Sequence, residues 1–459
     1  MAEKNITLDQ TVSLLAQQKK YPALRDILVT MNPADIAAMF EELEEATLPL
    51  LFRLLPKDIA AETFIEMDSD SQELLIRGFS DSELKEVVDE LYVDDAVDLV
   101  EEMPANVVRR ILRQADSETR KLINDMLKYP EDSAGSIMTT EYVELRPDMT
   151  VGDTLKHIRR TGIDSETINT CYVTDEGRHL TGIISIRNIL LAEETDLLSD
   201  IMEENVISVG THADQEDVAA MFGKYNFTAL PVVDGESRLV GIVTVDDAMD
   251  VMEDEATEDI EIMGGMTPID KPYLKTSTWR FWLSRIPWLI LLMLGATFTG
   301  IIVRHYEGLL DEGLMLCLAL FIPMLMDTGG NSGSQSAVAV VRALSLGDIT
   351  IRDFWAVVWK ELRIAALSGL TLGIICFAKV WLVDGLLLGN EAVTMLTAGA
   401  ISAAIFFIVL CAKLIGCLLP LAAEGLKLDP AIVSGPVITT VVDAVSLLIF
   451  FAIAARVLC

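Results

Sequence analysis

Apolar positions divide the 459-residue chain into three textures. Over residues 1–135 they recur at three- and four-residue spacing in short runs, which predicts small amphipathic helices and few strands. Pro33-Ala34-Asp35-Ile36-Ala37-Ala38 returns 23 positions later as Pro56-Lys57-Asp58-Ile59-Ala60-Ala61. Short helices entered at Pro, with Asp or Ser near their starts, predict a small superhelical stack. From Ser136 the pattern becomes mixed α/β and is again duplicated, residues 136–158 being echoed by 200–222. Thr181-Gly182-Ile183-Ile184-Ser185 is likewise echoed by Val240-Gly241-Ile242-Val243-Thr244. Each half predicts a short strand, an amphipathic helix, two buried strands and a closing helix. A further helix follows, in which Met249, Val251, Met252, Ala256, Ile260 and Met263 alternate with a dense acidic side. Beyond it lie five apolar runs, at about 283–303, 314–341, 364–386, 393–421 and 430–457, each long enough to cross a bilayer.

Charge sharpens this division. The net charge of −35 lies in the first part: residues 1–270 hold 22 Lys+Arg and 58 Asp+Glu, and the rest holds 13 and 12. So acidic a region repels nucleic acid and attracts counter-ions. Lys271, Lys275, Arg280 and Arg285 precede the first span, and Arg342, Arg352, Lys360 and Arg363 follow the second. The opposite side is poorer in bases, with Arg304 among Glu307, Asp311 and Glu312, then Asp384 and Glu391, then Arg456. The positive-inside rule therefore places the acidic domains in the cytoplasm and Cys459 outside, in a plasma-membrane protein. The start has no apolar signal core. The six cysteines show no redox or metal spacing.

Candidate chemistry lies in the spans. Asp443, near the middle of the last run, is too costly to face lipid. Thr439 lies four residues before it, on the same helix face. In the second run Asp327, Asn331 and Gln335 are also four apart, among Pro323, Gly329, Gly330 and Gly333. Those four residues predict a broken or thinned helix whose freed carbonyls line a cavity, although small residues also suit close helix packing. Oxygen donors with no His in any predicted span suit a hard cation such as Mg2+, Ca2+ or Mn2+. One carboxylate per subunit, with hydroxyls and carbonyls, suits Mg2+, which keeps much of its water.

Two resemblances then organise the chain. Residues 136–250 look like a tandem pair of CBS domains, units that dimerise and often sense a nucleotide. Thr244-Val245-Asp246-Asp247 carries their ribose-binding Ser/Thr-x-x-Asp pattern, whereas Ser185-Ile186-Arg187-Asn188 has Asn in place of Asp. ATP at Arg187, Asn188, Phe227 and Asp247 is therefore left open. The order of domains, with the runs Thr328-Gly329-Gly330-Asn331-Ser332-Gly333-Ser334-Gln335-Ser336 and Asp429-Pro430-Ala431…Pro436…Thr440…Asp443, resembles the MgtE family of magnesium channels. The implied architecture is a multidomain membrane protein. It comprises a superhelical N domain (1–135), two CBS units (136–198 and 199–250), a connecting plug helix (251–275) and a five-helix transmembrane domain (276–459).

The resemblance implies a homodimer whose pore uses Asp443, Thr439, Asn331, Gln335, Asp327 and Gly330. It also implies regulatory Mg2+ at Asp94, Asp98, Gly135, Asp214, Glu216, Asp247, Asp250, Glu255, Glu258 and Asp259, which clamp the plug shut. Asn226 stands where an acid is expected, and Gly435 where some relatives carry Asn. A transporter of Mn2+, Co2+ or Ca2+ with the same gating is the alternative. No GxxxxGK[ST] loop or HExxH helix supports an ATP-driven pump or a metalloprotease, so no enzyme is expected.

Overall fold

The structure, a computed structural model, describes residues 8–458 apart from 42, 44, 45, 164, 270, 272, 308–311, 391, 392 and 434. Asp311, Glu391 and Cys459, used above for orientation, lie outside the described residues. Two compact units follow one another, residues 1–252 and 253–459.

The first unit begins with ten helices among the described residues, α1 (Leu8–Gln17) to α10 (Ser117–Met126). The repeated Pro-x-Asp segments start or immediately precede α3 (Pro33–Glu41) and α5 (Lys57–Ile65), which pack on each other. Local chemistry sets several helix starts. Ser80 and Glu83 form a reciprocal capping box, and Asp116 accepts from the backbone of Glu118 and Thr119. Such caps satisfy amides that have no partner within the helix. Leu24, Phe40, Phe64, Leu75 and Ile111 lie in one buried core that continues through Val209, Val218 and Leu230.

The duplicated α/β segment forms two three-stranded sheets. The first joins β1 (Tyr142–Leu145), β2 (Thr167–Thr174) and β3 (Leu180–Ser185). The second joins β4 (Val209–Gly210), β5 (Ala229–Val233) and β6 (Leu239–Thr244). In each, the first strand runs parallel to the second and the second antiparallel to the third. The helices of the first half are α11 (Val151–Thr161), α12 (Ile186–Leu191) and α13 (Leu198–Ile201). Those of the second are α14 (Gln215–Tyr225) and α15 (Val245–Met263), the last being the predicted acidic helix.

The second unit contains α16 (Thr278–Gly295), α17 (Thr297–Glu307), α18 (Glu312–Ala319), α19 (Ile322–Ser345), α20 (Phe354–Ala378), α21 (Met395–Gly425) and α22 (Gly435–Val457). Among the described residues four helical stretches are long and apolar enough to span a membrane, and five if α18 and α19, bent by 41°, form one span. The first stretch reaches Glu307, so His305 falls at its end, contrary to the expectation that no span holds a histidine. There it packs edge-on against the neighbouring Tyr306 ring.

The second run differs from expectation in a more important way. No break occurs at Gly329, Gly330 or Gly333: α19 is continuous through them, and the bend comes before Ile322. Membrane helices tolerate glycine where a neighbour packs closely. A Cβ on Gly333 would stand 2.9 Å from Ile438 Cγ2, and one on Gly416 would stand 2.2 Å from the Gly333 carbonyl oxygen. The backbones of α19 and α21 therefore touch at this crossing. Gly416→Ala should destabilise the membrane unit by about 1–3 kcal/mol, as overpacking does. Thermal unfolding of the detergent-solubilised protein checks this, and an unchanged midpoint would refute the crossing.

Candidate functional site

Asp443 is half-buried on α22, with Thr439 one turn before it. Thr439 packs on Gly330 of α19: a Cβ there would lie 3.2 Å from the Thr439 methyl. Asp327 is the charged group near enough to interact with Asp443. Asn331 Nδ2 donates to Asp327 Oδ1 at 3.0 Å. Asp327, Asn331 and Gln335 form an exposed stripe along α19. Within one chain the stripe opens into a cleft of about 570 Å3 shared with Ser368 and Thr371 of α20 and with Lys413 of α21. The helix axis thus separates two faces: glycines against α22, and polar side chains into the cleft.

The end of α15 lies against the start of α22. Gly435 has φ +39°, and a Cβ on it would stand 2.4 Å from the Met263 carbonyl oxygen. Left-handed backbone is open to Gly and, among other residues, most readily to Asn. The left-handed backbone and the close approach of the Met263 carbonyl together favour Gly here. Ser345 Oγ, at the end of α19, donates to Asp259 Oδ2 at 3.4 Å. Burial, then the charge of Asp429, raises the Asp259 carboxyl above its ordinary value. Glu255 and Glu258 lie further back on the same helix.

In the first unit the acidic residues gather into two places. Gly135, Asp214 and Glu216 lie together: Gly135 N donates to Thr211 O at 3.0 Å, and Asp214 caps α14 through Glu216 N at 2.9 Å. A Cβ on Gly135 would stand 2.6 Å from the Tyr129 ring, so the chain passes there only as glycine. The other group centres on α8 (Val93–Glu102). Its first amide, Val93 N, donates to Glu141 Oε2 at 3.0 Å, so a carboxylate from the α/β segment caps this helix. Asp94 is 7 % exposed, and its Oδ1 has no hydrogen-bond partner; neither has the buried Glu166 Oε2. Asp247 Oδ2 accepts from the hydroxyl and amide of Thr244.

Burial first, then the neighbouring Asp247, pushes Asp95 and Asp98 up to about 7. Burial followed by Asp95 pushes Glu166 up to about 8, while Asp247 reaches about 6, again chiefly by burial. Asp94 is raised well above the carboxylate range by burial and then by Asp247. Asp98 keeps much of its surface in solvent despite this crowding, so screening by water weakens its share. Sequence reasoning selected Asp94, Asp98, Asp247 and Asp250 but missed Asp95, Glu141 and Glu166. The adjacency of Asp94 and Asp95 at a helix start was the available signal; Glu141 and Glu166 come from distant segments.

Among the described residues, no three carboxylates are close enough to enclose a bare metal ion. The orphaned oxygens of Asp94 and Glu166 instead suit a hydrated divalent cation, which meets carboxylates through its water shell.

The nucleotide candidates are dispersed. Arg187 and Asn188 are exposed at the start of α12, where Asn188 N donates to Ser185 Oγ at 3.2 Å. Phe227 stacks on Tyr225 and lines an apolar pocket with Met249 and Met252, whereas Asp247 belongs to the acidic cluster. Asn226, the departure noted above, ends α14 at φ 56°, a left-handed cap that Asn adopts readily.

These features define a multi-pass helical membrane protein, with oxygen-bearing side chains in its spans and a helical domain joined to paired α/β units ahead of them. Residues 322–453 match the MgtE model, described as a divalent cation transporter. Residues 31–132 match the MgtE intracellular N domain, and 134–194 and 198–254 the CBS domain. The magnesium transporter MgtE of Thermus thermophilus is 38% identical over 94% of both chains, and that of Bacillus subtilis 31% identical over 98% of both. A crystal structure of the cytosolic domain of the Mg2+ channel MgtE in complex with ATP is 38% identical. It covers 53% of this chain and all of its own, at a TM-score of 0.51. The chain belongs to the MgtE family of divalent cation transporters.

The raised carboxyls have a sign that can be tested. A carboxyl whose folded value exceeds its unfolded value keeps its contribution at low pH and loses it as pH rises through the folded value. For Asp247, Asp95 and Glu166 that window runs from the ordinary carboxylate range to about 8. The segment 1–252, freed of metal by a chelator, should therefore melt at a higher temperature at pH 6 than at pH 8. One unit in one group is about 1.4 kcal/mol, or about 3–6 °C for a domain of this size. Mg2+ should raise the midpoint more at pH 8. A midpoint that rises with pH in chelator contradicts the reading.

Proposed function

We propose that this chain is a Mg2+ channel or transporter of the plasma membrane, with Mg2+ as its cargo and cytoplasmic Mg2+ as its regulator. The observation that carries the proposal is Asp443, a half-buried carboxylate in an apolar helix whose preceding turn packs on Gly330. Two chains would enclose a pore on their shared axis, each bringing Asp443, Thr439 and the stripe of Asp327, Asn331 and Gln335. The acidic domains lie in the cytoplasm, and the C-terminus lies outside.

Regulation would be electrostatic. Asp94, Asp95, Asp98, Asp247 and Glu166 repel one another, and hydrated Mg2+ between them removes that repulsion. Gly135, Asp214 and Glu216 form a second place for an ion, and Asp250, Glu255, Glu258 and Asp259 extend the acidic surface along α15. With ions bound, α15 stays against Gly435 and closes the cytoplasmic mouth. Arg187, Asn188 and Phe227 are the positions for a nucleotide such as the ATP bound by the related cytosolic domain, while Asp247 is engaged by Thr244 and the cation cluster. Competition uptake tests the cargo: excess Mn2+, Co2+ or Ca2+ should displace Mg2+ weakly. Displacement by one of them at lower concentration than by Mg2+ itself would assign that ion instead.

A further inference from the structure

Three buried polar side chains of the second unit form a connected set, of which Lys413 also borders the cleft described above. Ser336 on α19, Glu361 on α20 and Lys413 on α21 are 2 %, 8 % and 6 % exposed. Ser336 Oγ donates to Glu361 Oε2 at 2.7 Å and accepts from Lys413 Nζ at 3.5 Å. A serine hydroxyl has one proton to give and lone pairs to receive with. Here the proton goes to the carboxylate and the oxygen faces the ammonium, so charge, hydroxyl and countercharge follow in the correct polarity. Each of three neighbouring helices supplies one member.

Stability alone does not explain this arrangement. A buried charge pair is often no better than apolar packing, while one charge left without its partner is strongly unfavourable. The surroundings of α19 suggest what the arrangement adds. Toward α21 and α22, α19 offers Gly329, Gly330 and Gly333. A glycine face gives close approach but few ridges to interlock with a neighbour's grooves, so it resists rotation poorly. At about 100° per residue, Ser336 stands about half a circle from Asp327. It is thus buried on the far side of α19 from Asp327, about 140° round the helix from Asn331 and about 100° from Gln335.

We propose that Glu361 and Lys413 are positioning residues which, through Ser336, pin the rotation of α19 and so hold its polar stripe toward the ion pathway. This rests on the reading of α19 as a wall of that pathway. Ser336→Ala removes the pin from α19 without creating a charge, and leaves Glu361 and Lys413 free to pair with each other. Glu361→Gln leaves the ammonium without its carboxylate, and Glu361→Gln with Lys413→Met removes both charges.

The test is uptake of Mg2+ and of Co2+ by cells making each full-length variant, beside wild type and Asp443→Ala. The ratio of the two rates is a property of each molecule and does not depend on how many reach the membrane. Ser336→Ala should shift the ratio at least about threefold, a difference of interactions rather than of amount. Glu361→Gln should lower Mg2+ uptake at least about tenfold, and the double variant should recover most of it. A ratio unchanged in Ser336→Ala overturns the proposal, even where Glu361→Gln does not accumulate, as does a double variant no better than the single. Normal uptake by Asp443→Ala would instead overturn the pathway reading on which the pin depends.

Discussion

Mg2+ uptake by Asp443→Ala falls at least about a hundredfold below wild type, at equal amounts of protein in the membrane. The amount should hold because a carboxylate in an apolar helix is costly to insert, and removing it takes no packing from the core. Transport should not hold, because a divalent cation passing this level loses its countercharge. A unit pair about 4 Å apart at an effective dielectric of about 20 interacts by about 4 kcal/mol. About 1.4 kcal/mol is worth a factor of ten. Asp443→Asn keeps the shape and should be nearly as poor, whereas Asp443→Glu keeps the charge and should retain a measurable rate. Equal loss in the Glu variant would shift the weight from charge to geometry.

The second large effect concerns the gate. The triple variant of Asp94→Ala, Asp247→Ala and Glu258→Ala should lose most of the Mg2+-dependent protection of the chain from protease. Moving a two-state gate from mostly open to mostly closed takes about 5.5 kcal/mol of differential binding, more than one weak site supplies. Two consequences then combine. Removing carboxylates lowers the mutual repulsion, so the metal-free variant should resist protease slightly better than metal-free wild type. It also removes the ion's ligands, so the Mg2+ needed for half protection should rise at least about tenfold. A variant that keeps the wild-type Mg2+ dependence would exclude these residues as the sensor.

The parts legible in the sequence were those fixed by local pattern. Apolar runs of membrane length, the doubled strand–helix texture and the Pro-x-Asp repeat each report a short-range rule, and all reappear as elements. Asp443 stood out for the same reason: one charge in a long apolar run is anomalous without any partner in view. For the glycines of α19 the sequence left both a break and close packing open, because composition cannot distinguish a helix breaker from a helix pressed against Gly416 and Ile438. Only the crossing decides between them. Glu141 and Glu166 escaped notice because nothing near them in sequence marks them, and their role comes from where α8 begins. Asn226 and Gly435 looked like missing ligands until their left-handed backbone supplied a different reason for their identity.

The most direct measurement is Mg2+ flux into vesicles reconstituted with the purified chain, at fixed Mg2+ on one side and varied Mg2+ on the face bearing residues 1–270. Mg2+ gating predicts a flux that is high when that face is Mg2+-free and falls steeply as its Mg2+ rises, with the steepness lost in the triple variant. A flux indifferent to Mg2+ on that face, in vesicles that otherwise conduct Mg2+, would contradict it.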